Sequence, residues 1–193
     1  VLDVGFGLGI GLKALIDEIN KHPTLIQKPM SYTSIELDED LFLWSINESF
    51  PGTVFTKKEN TYVSEYTINN CVLFITVFIG DGRKTLKEAH KESKLPTFTA
   101  IFQDAFSPKK NPTLWTQEWF VDLKSMSSSE VYMSTYSSSV SVRKSMIAAG
   151  WIIANGRGFG QKRTMTKARL LGVIDASLQA ELSRSPTLEL RDI

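Results

Sequence analysis

Short apolar runs alternate with amphipathic stretches along most of this chain. Val1–Val4 is an apolar run that ends in a glycine-rich turn, and apolar residues between Ile10 and Ile19 then recur at helical spacing. The β-branched and aromatic run Cys71–Ile79 is typical of a buried strand. The predicted strands are 1–4, 32–37, 71–79, 98–102, 131–136, 151–154 and 163–167, and the predicted helices are 9–21, 39–49, 83–93, 112–126 and 138–149.

The order of these elements predicts an α/β fold. Strands that alternate with helices imply a mostly parallel sheet with helices on both faces, and the last two strands form a pair around a loop. Residues 51–70 are polar without a clear period, which predicts turns or a short hairpin. We expect one domain over residues 1–174 and a loosely attached polar tail over 175–193, which has no core-sized apolar block.

Composition narrows the class of protein. The chain has 193 residues, of which 42% are hydrophobic and 22% charged, as expected of a globular domain. Its net charge of +1 means that any nucleic-acid site must be a local patch. No apolar run reaches the length of a membrane span, so no membrane association is expected. A single cysteine cannot form an internal disulfide. The two histidines are far apart in the sequence, so no metal site is predicted.

The turn Asp3-Val4-Gly5-Phe6-Gly7-Leu8-Gly9 carries the first candidate chemistry. Glycines let the backbone approach a ligand closely, and a helix N-terminus offers unpaired N–H groups. The dinucleotide spacing Gly-x-Gly-x-x-Gly fails here, because Ile10 and Leu12 occupy the sixth positions. An acid two residues before the first glycine suits a ligand with a cationic amino-acid end. A purely structural glycine turn is the alternative.

Further candidates follow the carboxyl ends of the predicted strands, where open parallel sheets bind ligands. Glu36 closes the second strand and is expected to accept hydrogen bonds from ribose hydroxyls. Asp38 is a nearby candidate for the same role. The alternative is that Glu36 is a solvated acid at the start of a helix. Asp81 and Gly82 follow the third strand and suit a tight turn or the nucleoside side of a pocket. Asp104 lies at the mouth of the fourth strand, beside an aromatic residue and two prolines.

Three ordered motifs carry a resemblance to a known family. Asp104-Ala105-Phe106-Ser107-Pro108-Lys109-Lys110-Asn111-Pro112-Thr113-Leu114-Trp115 resembles the Asp-(Gly/Ala)-Phe-(Ala/Ser)-Pro-x-x-Asn-Pro-x-x-Trp signature of bacterial tRNA-modifying methyltransferases of the MnmC type. A second block of that family is similar to Thr135-Tyr136-Ser137 with Val142-Arg143 and Ala149-Gly150-Trp151. A third block is similar to Gly158-Phe159-Gly160-Gln161-Lys162-Arg163 with Met165. With the glycine turn, the resemblance covers residues 1–167.

The resemblance implies a Rossmann-like sheet of seven strands, with an antiparallel C-terminal hairpin, that binds S-adenosyl-L-methionine. It implies methylation of the 5-aminomethyl group of 5-aminomethyl-2-thiouridine at the wobble position of tRNA. The implied cofactor-binding residues are Asp3, Gly5, Phe6, Gly7, Gly9, Glu36, Asp81, Gly82 and Asp104. The implied catalytic residues are Asp104 and Phe106, and the implied substrate-binding residues are Lys109, Asn111, Tyr136, Arg143, Phe159, Lys162 and Arg163.

The chain departs from the family pattern in a few ways. Asp3 stands where many members have Glu, and Leu8 where Thr is frequent. Fused members carry a C-terminal oxidase domain, and the residues after Lys167 do not resemble it. The expected partners are therefore a separate oxidase or upstream tRNA-modifying enzymes that act on the same uridine. The chain begins inside a strand, so we expect a truncated N-terminus, and we expect a cytoplasmic location. The alternatives are a methyltransferase that acts on a polyamine or protein amine, and an inactive cofactor-binding module.

Overall fold

The computed structural model describes residues 1–24, 28–158 and 164–192. The chain divides into two compact units, Val1–Pro96 and Thr97–Ile193. Each unit combines β-strands with α-helices, so the predicted α/β class is confirmed. Within the described ranges no helix is long and apolar enough to cross a membrane.

The first unit contains five strands, β1 (Leu2–Val4), β2 (Met30–Glu36), β3 (Thr56–Lys58), β4 (Thr61–Ile68) and β5 (Cys71–Ile79). Across the sheet they lie in the order β3-β4-β5-β2-β1. β1, β2 and β5 run parallel, whereas β4 is antiparallel to both β3 and β5. The carboxyl ends of β1, β2 and β5 therefore lie at the same edge of this sheet.

Three helices complete the first unit, α1 (Ile10–Lys21), α2 (Glu39–Ser49) and α3 (Gly82–Lys91). The side chains of Asp38 and Asp81 cap α2 and α3 by accepting backbone N–H bonds from Leu41 and Arg83, both at 3.0 Å. α1 starts differently, since its first position is Gly9 at φ 72° with no side-chain cap. An aromatic cluster of Phe6, Phe42, Phe55 and Tyr62 packs the glycine turn and α2 against the hairpin of β3 and β4.

The second unit contains four strands, β6 (Phe98–Gln103), β7 (Ser127–Thr135), β8 (Ile152–Arg157) and β9 (Thr164–Arg169), in the order β6-β7-β9-β8. β6 and β7 are parallel, and β9 is antiparallel to both β7 and β8, which gives the expected C-terminal hairpin. A short 3-10 helix at Pro112–Trp115 precedes α4 (Gln117–Ser125), and α5 (Val140–Ala148) and α6 (Ala176–Arg184) follow. The predicted helix 112–126 is thus two pieces, separated by Thr116, whose hydroxyl caps α4.

Two predictions about the fold need correction. The strands number nine in the described residues rather than seven, because the polar stretch 51–70 forms β3 and β4. These antiparallel strands also make the arrangement mixed rather than mostly parallel.

The segment 175–193 also differs from the loosely attached tail that its composition predicts. Residues Ala176–Arg184 form α6, whose Leu178 and Leu182 are each only 2% exposed. The backbone of Leu190 donates to Ser145 and accepts from Gln117, both at 2.8 Å.

Candidate functional site

The turn between β1 and α1 is held by backbone hydrogen bonds and by one buried aromatic ring. The N–H of Phe6 donates to Ile35 O at 2.9 Å, and the N–H of Gly9 donates to Phe6 O at 2.8 Å. Gly7 and Gly9 have φ values of 51° and 72°, a conformation that L-residues with side chains rarely adopt. A Cβ on Gly9 would also lie 2.6 Å from Phe50. The local fold thus explains why glycine occupies both positions.

Glu36, at the end of β2, anchors this turn. It is 8% exposed, and its Oε2 accepts the N–H of Gly7 at 2.8 Å. Its Oε1 accepts the N–H groups of Leu37 and Asp38 at 2.8 and 3.1 Å. A carboxylate offers about four acceptor positions, so three backbone donors leave little capacity for further partners. Holding the glycine turn is therefore the role that the geometry supports, and ribose binding by Glu36 stays a prediction.

Asp3 lies beneath the turn and is 2% exposed. Its Oδ2 accepts a hydrogen bond from the hydroxyl of Tyr32, and its backbone oxygen accepts one from Ser34 Oγ at 2.8 Å. Burial, and secondly the charge of Asp3, raise the pKa of Tyr32 well above its usual value, so Tyr32 remains a neutral donor. Sequence reasoning identified Asp3 but missed Tyr32, which is 29 residues away and reaches Asp3 only through strand pairing.

Asp81 and Gly82 follow β5 at the same sheet edge as the glycine turn. Asp81 caps α3, and its exposed carboxylate lies 3.9 Å from the ammonium group of Lys84. Gly82 is buried at the first position of α3. The first unit thus brings the predicted cofactor-binding residues Asp3, Gly5, Phe6, Gly7, Gly9, Glu36, Asp81 and Gly82 to three neighbouring strand ends.

The second unit holds the loop 104–115 rigidly after β6. Buried Gln103 joins the loop to α4, because its Nε2 donates to Leu114 O at 2.8 Å and its Oε1 accepts from Trp119 Nε1 at 3.1 Å. Trp115 is fully buried, and its Nε1 donates to Phe106 O at 2.8 Å. The ring of Trp115 also packs edge-on against Tyr136, with centroids 5.9 Å apart. The ring of Trp115 therefore packs in the core, while its indole N–H fixes the backbone at Phe106.

This loop presents a carboxylate and an aromatic ring, and the phenol of Tyr136, which follows β7, lies close to them. Asp104 is exposed, and the ring of Phe106 is 68% exposed rather than packed in the core. The hydroxyl of Tyr136 donates to Ala105 O at 3.0 Å. Burial, with a smaller contribution from the charge of Asp104, raises the pKa of Tyr136, so its hydroxyl stays protonated at neutral pH. The group can therefore bind a cation or hydrogen-bond donor beside a flat apolar ring.

The predicted substrate-binding residues differ in their surroundings. Lys109 is exposed, whereas Asn111 accepts a hydrogen bond from Thr113 Oγ1 at 2.9 Å and shapes the turn. Arg143 does not reach the surface as a phosphate contact requires, since it is 4% exposed. Its guanidinium donates to Thr166 Oγ1 and Asn155 Oδ1 at 3.0 and 2.8 Å.

Arg143 therefore has a structural position, joining α5 to the hairpin of β8 and β9. Burial lowers the pKa of its guanidinium, and Glu181 offsets part of this effect. Phe159, Lys162 and Arg163 lie outside the described residues. In the part of the chain that the structure describes, no group of three or more His, Cys, Asp or Glu residues is arranged to hold a metal ion.

Comparisons with known proteins agree on one family. A family model described as S-adenosyl-L-methionine-dependent methyltransferase matches residues 45–170. The tRNA 5-methylaminomethyl-2-thiouridine biosynthesis bifunctional protein MnmC of Leptospira borgpetersenii is 29% identical over 183 residues, which are 86% of this chain and 26% of that protein. The protein of the same name from Vibrio vulnificus is 31% identical over 181 residues, 84% of this chain and 26% of its own length.

A solved structure is similar over almost the whole chain. The crystal structure of MNMC2 from Aquifex aeolicus matches with a TM-score of 0.70 at 31% identity, covering 99% of this chain and 61% of that one. The present chain spans about a quarter of the length of the curated relatives it matches.

Proposed function

This chain belongs to the S-adenosyl-L-methionine-dependent methyltransferases, and we propose that it methylates the 5-aminomethyl nitrogen of 5-aminomethyl-2-thiouridine at the wobble position of tRNA. The observation that carries this proposal is the hydrogen-bonded loop 104–115, whose Asp104 and Phe106 lie beside Tyr136 at the end of β7. Relatives named for tRNA 5-methylaminomethyl-2-thiouridine biosynthesis match over most of the chain and support this substrate.

The first unit provides the residues that would hold the cofactor. A buried carboxylate at Asp3 suits a cationic amino-acid end, and the glycine turn allows close backbone approach. α1 begins without a side-chain cap, so its first N–H groups remain suited to ligand binding. Glu36 holds Gly7 in place, and Asp81 starts α3 beside it in the sheet order. When bound, S-adenosyl-L-methionine supplies the electrophilic methyl group.

The second unit provides the residues that would handle the amine. The attacking nitrogen must be neutral, and a lysine-like amine of pKa about 10.4 costs at most about 4–5 kcal/mol to deprotonate at pH 7. A carboxylate at Asp104 stabilises the ammonium form, which favours binding but opposes nucleophilicity. Asp104 therefore contributes by orienting the amine and by accepting its proton. Alignment of the reactants can contribute roughly 7–11 kcal/mol, which outweighs the cost of deprotonation.

Phe106 and the exposed lysines would bind the nucleotide. Unstacked RNA bases are commonly held by exposed aromatic rings, which fits the ring of Phe106. Lys109 and Lys110 are exposed on the same loop. In this proposal Lys162 and Arg163 add phosphate contacts, and Phe159 stacks on a base. With tRNA as the substrate, the proposal includes a cytoplasmic location. It also includes a separate oxidase or upstream tRNA-modifying enzymes that would act on the same uridine.

The proposed reaction is tested with tRNA isolated from cells that lack the terminal methylation. We expect methyl transfer to this tRNA, with 5-methylaminomethyl-2-thiouridine as the nucleoside product. Free 5-aminomethyl-2-thiouridine should be a much poorer substrate, because it lacks the phosphates that the lysines bind. Equal efficiency on the free nucleoside and on tRNA would instead indicate a small-molecule amine methyltransferase. Cofactor binding without transfer to either would indicate an inactive binding module.

The role of Asp104 is tested by the isosteric change Asp104→Asn. We expect turnover to fall by about 100-fold or more, because general acid–base groups typically contribute that much. Calorimetric affinity for S-adenosylhomocysteine should change by much less, since the carboxylate is assigned to the amine. Lys110→Ala, which alters a cation on the same loop, is the matched control and should retain turnover on saturating tRNA. Lost cofactor affinity with normal turnover of bound cofactor would contradict the assignment.

A further inference from the structure

The carboxylate of Asp3 is confined from two sides within the first unit. Tyr32 is fully buried, and its hydroxyl donates to Oδ2 of Asp3 from the neighbouring parallel strand. The register that pairs Asp3 with Ser34 fixes Tyr32 two residues upstream, on the same face of β2 as Ser34. A buried carboxylate needs such a donor to offset its lost hydration.

Gly11, in the first turn of α1, forms the second wall. A Cβ at this position would collide with the same Oδ2 that Tyr32 contacts. The φ of Gly11 is not in the left-handed region, so close approach rather than backbone conformation explains glycine here. The carboxylate therefore lies between the Tyr32 hydroxyl and the backbone of α1, directly beneath the glycine turn.

We propose that Tyr32 is a positioning residue of the cofactor site, which holds the Asp3 carboxylate in the orientation that attracts the ammonium group of the methionine part. This inference rests on the proposed function and deepens it by assigning recognition of the amino-acid end to Tyr32, Asp3 and Gly11 together. Glu36 and Asp81, at the ends of β2 and β5, are assigned to the nucleoside.

The consequence is a difference between two ligands that share the adenosine part. S-adenosylhomocysteine carries the ammonium group, whereas 5′-methylthioadenosine has a methyl group in place of the amino-acid end. A positioning role for Tyr32 affects only the first ligand. A merely structural role, in which Tyr32 supports the sheet or the glycine turn, affects both ligands alike.

Calorimetric titration of the wild-type chain and of Tyr32→Phe with both ligands tests the inference. We expect Tyr32→Phe to bind S-adenosylhomocysteine about tenfold more weakly, as for the loss of one charge-assisted hydrogen bond. Its affinity for 5′-methylthioadenosine should stay within about twofold of the wild-type value, which is within the scatter expected of a conservative substitution. Equal weakening of both ligands, or no change in either, would overturn the assignment.

Gly11→Ala provides a second variant in case Tyr32→Phe folds poorly. It displaces the same carboxylate from the opposite side without removing the tyrosine, so it should show the same selective loss. Tyr62→Phe is the matched control, because it makes the same change in the same unit at a hydroxyl that donates to Glu39 rather than to Asp3. Its ratio of the two affinities should equal that of the wild type. A wild-type chain that binds neither ligand would instead refute the proposed function itself.

Discussion

Glu36 shows how a residue identified from sequence can acquire a second task in the structure. The strand end and the acid were visible in the sequence, and so was the glycine turn. The link between them was not, because Gly7 and Glu36 are 29 residues apart and meet only through strand pairing. The same holds for Tyr32 and Asp3. Sequence patterns therefore identified candidate residues at the strand ends, whereas the contacts between them required the structure.

Replacing Glu36 tests both of its tasks. Glu36→Ala should weaken S-adenosylhomocysteine binding by about 1–3 kcal/mol, because charge-assisted hydrogen bonds are lost and the N–H of Gly7 loses its acceptor. Isothermal titration calorimetry measures the effect. Asp38→Ala removes the neighbouring cap of α2 but keeps the backbone N–H that donates to Glu36, so it serves as control. An unchanged affinity in Glu36→Ala would remove this residue from the site.

Arg143 is the residue for which sequence and structure disagree most. Its motif position shows a positive charge but not its burial, which depends on Thr166 and Asn155, 23 and 12 residues further along the chain. Arg143→Met should lower the free energy of unfolding by about 1–3 kcal/mol, because the buried hydroxyl of Thr166 and the amide oxygen of the exposed Asn155 both lose their donor. Urea denaturation measures this loss. Lys109→Ala, at an exposed cation, should leave stability nearly unchanged.

Binding measurements separate the two roles of these cations. Titration of the folded Arg143→Met variant with tRNA should give nearly wild-type affinity, whereas Lys109→Ala should weaken it. A large loss of tRNA affinity in Arg143→Met, with stability intact, would restore the original substrate-binding assignment.

At the scale of elements, apolar runs and periodicity predicted the strands that bury several residues and most of the helices. For β3 and β4 they predicted only turns or a short hairpin, because β3 is wholly exposed and β4 buries only Tyr62 and Ile68. A strand at or near the edge of a sheet needs few apolar residues, so its pattern resembles a polar loop. α6 was missed for a similar reason. Its two buried leucines, Leu178 and Leu182, are four residues apart among polar neighbours.

The packing of α6 leads to a stability prediction. Leu182→Ala should lower the free energy of unfolding by about 2–5 kcal/mol, as for other large-to-small changes at buried sites. Leu188→Ala is the matched control, because Leu188 is 75% exposed. Urea denaturation followed by circular dichroism compares the two variants. Equal and negligible losses would show that this segment is loosely attached, as its composition alone suggests.

At the scale of the whole molecule, charge is the property that sequence predicts most directly. The net charge of +1 gives no strong attraction to a polyanion, so tRNA binding must depend on where the cations lie. Lys109 and Lys110 are exposed on the loop after β6, whereas Arg143 is buried. We therefore expect Lys162 and Arg163, which lie outside the described residues, to carry more of the proposed phosphate contact than Arg143.

The salt dependence of tRNA binding tests this local footprint. Each phosphate contact releases counterions, so the affinity should fall as salt rises. Replacing both Lys162 and Arg163 with Ala should flatten the slope of log affinity against log salt by roughly 1.4–1.8, which corresponds to two phosphate contacts. Affinity for S-adenosylhomocysteine should hardly change. Fluorescence titrations of labelled tRNA at several salt concentrations give the slope.

A second double variant separates a local contact from a general effect of charge. Lys13→Ala with Lys21→Ala removes the same two charges from exposed positions on α1. If only local contacts matter, this variant keeps the wild-type slope while the Lys162 and Arg163 variant loses about two phosphate equivalents. Equal flattening in both variants would mean that the cations act through net charge alone. In that case Lys162 and Arg163 would have no specific part in tRNA docking.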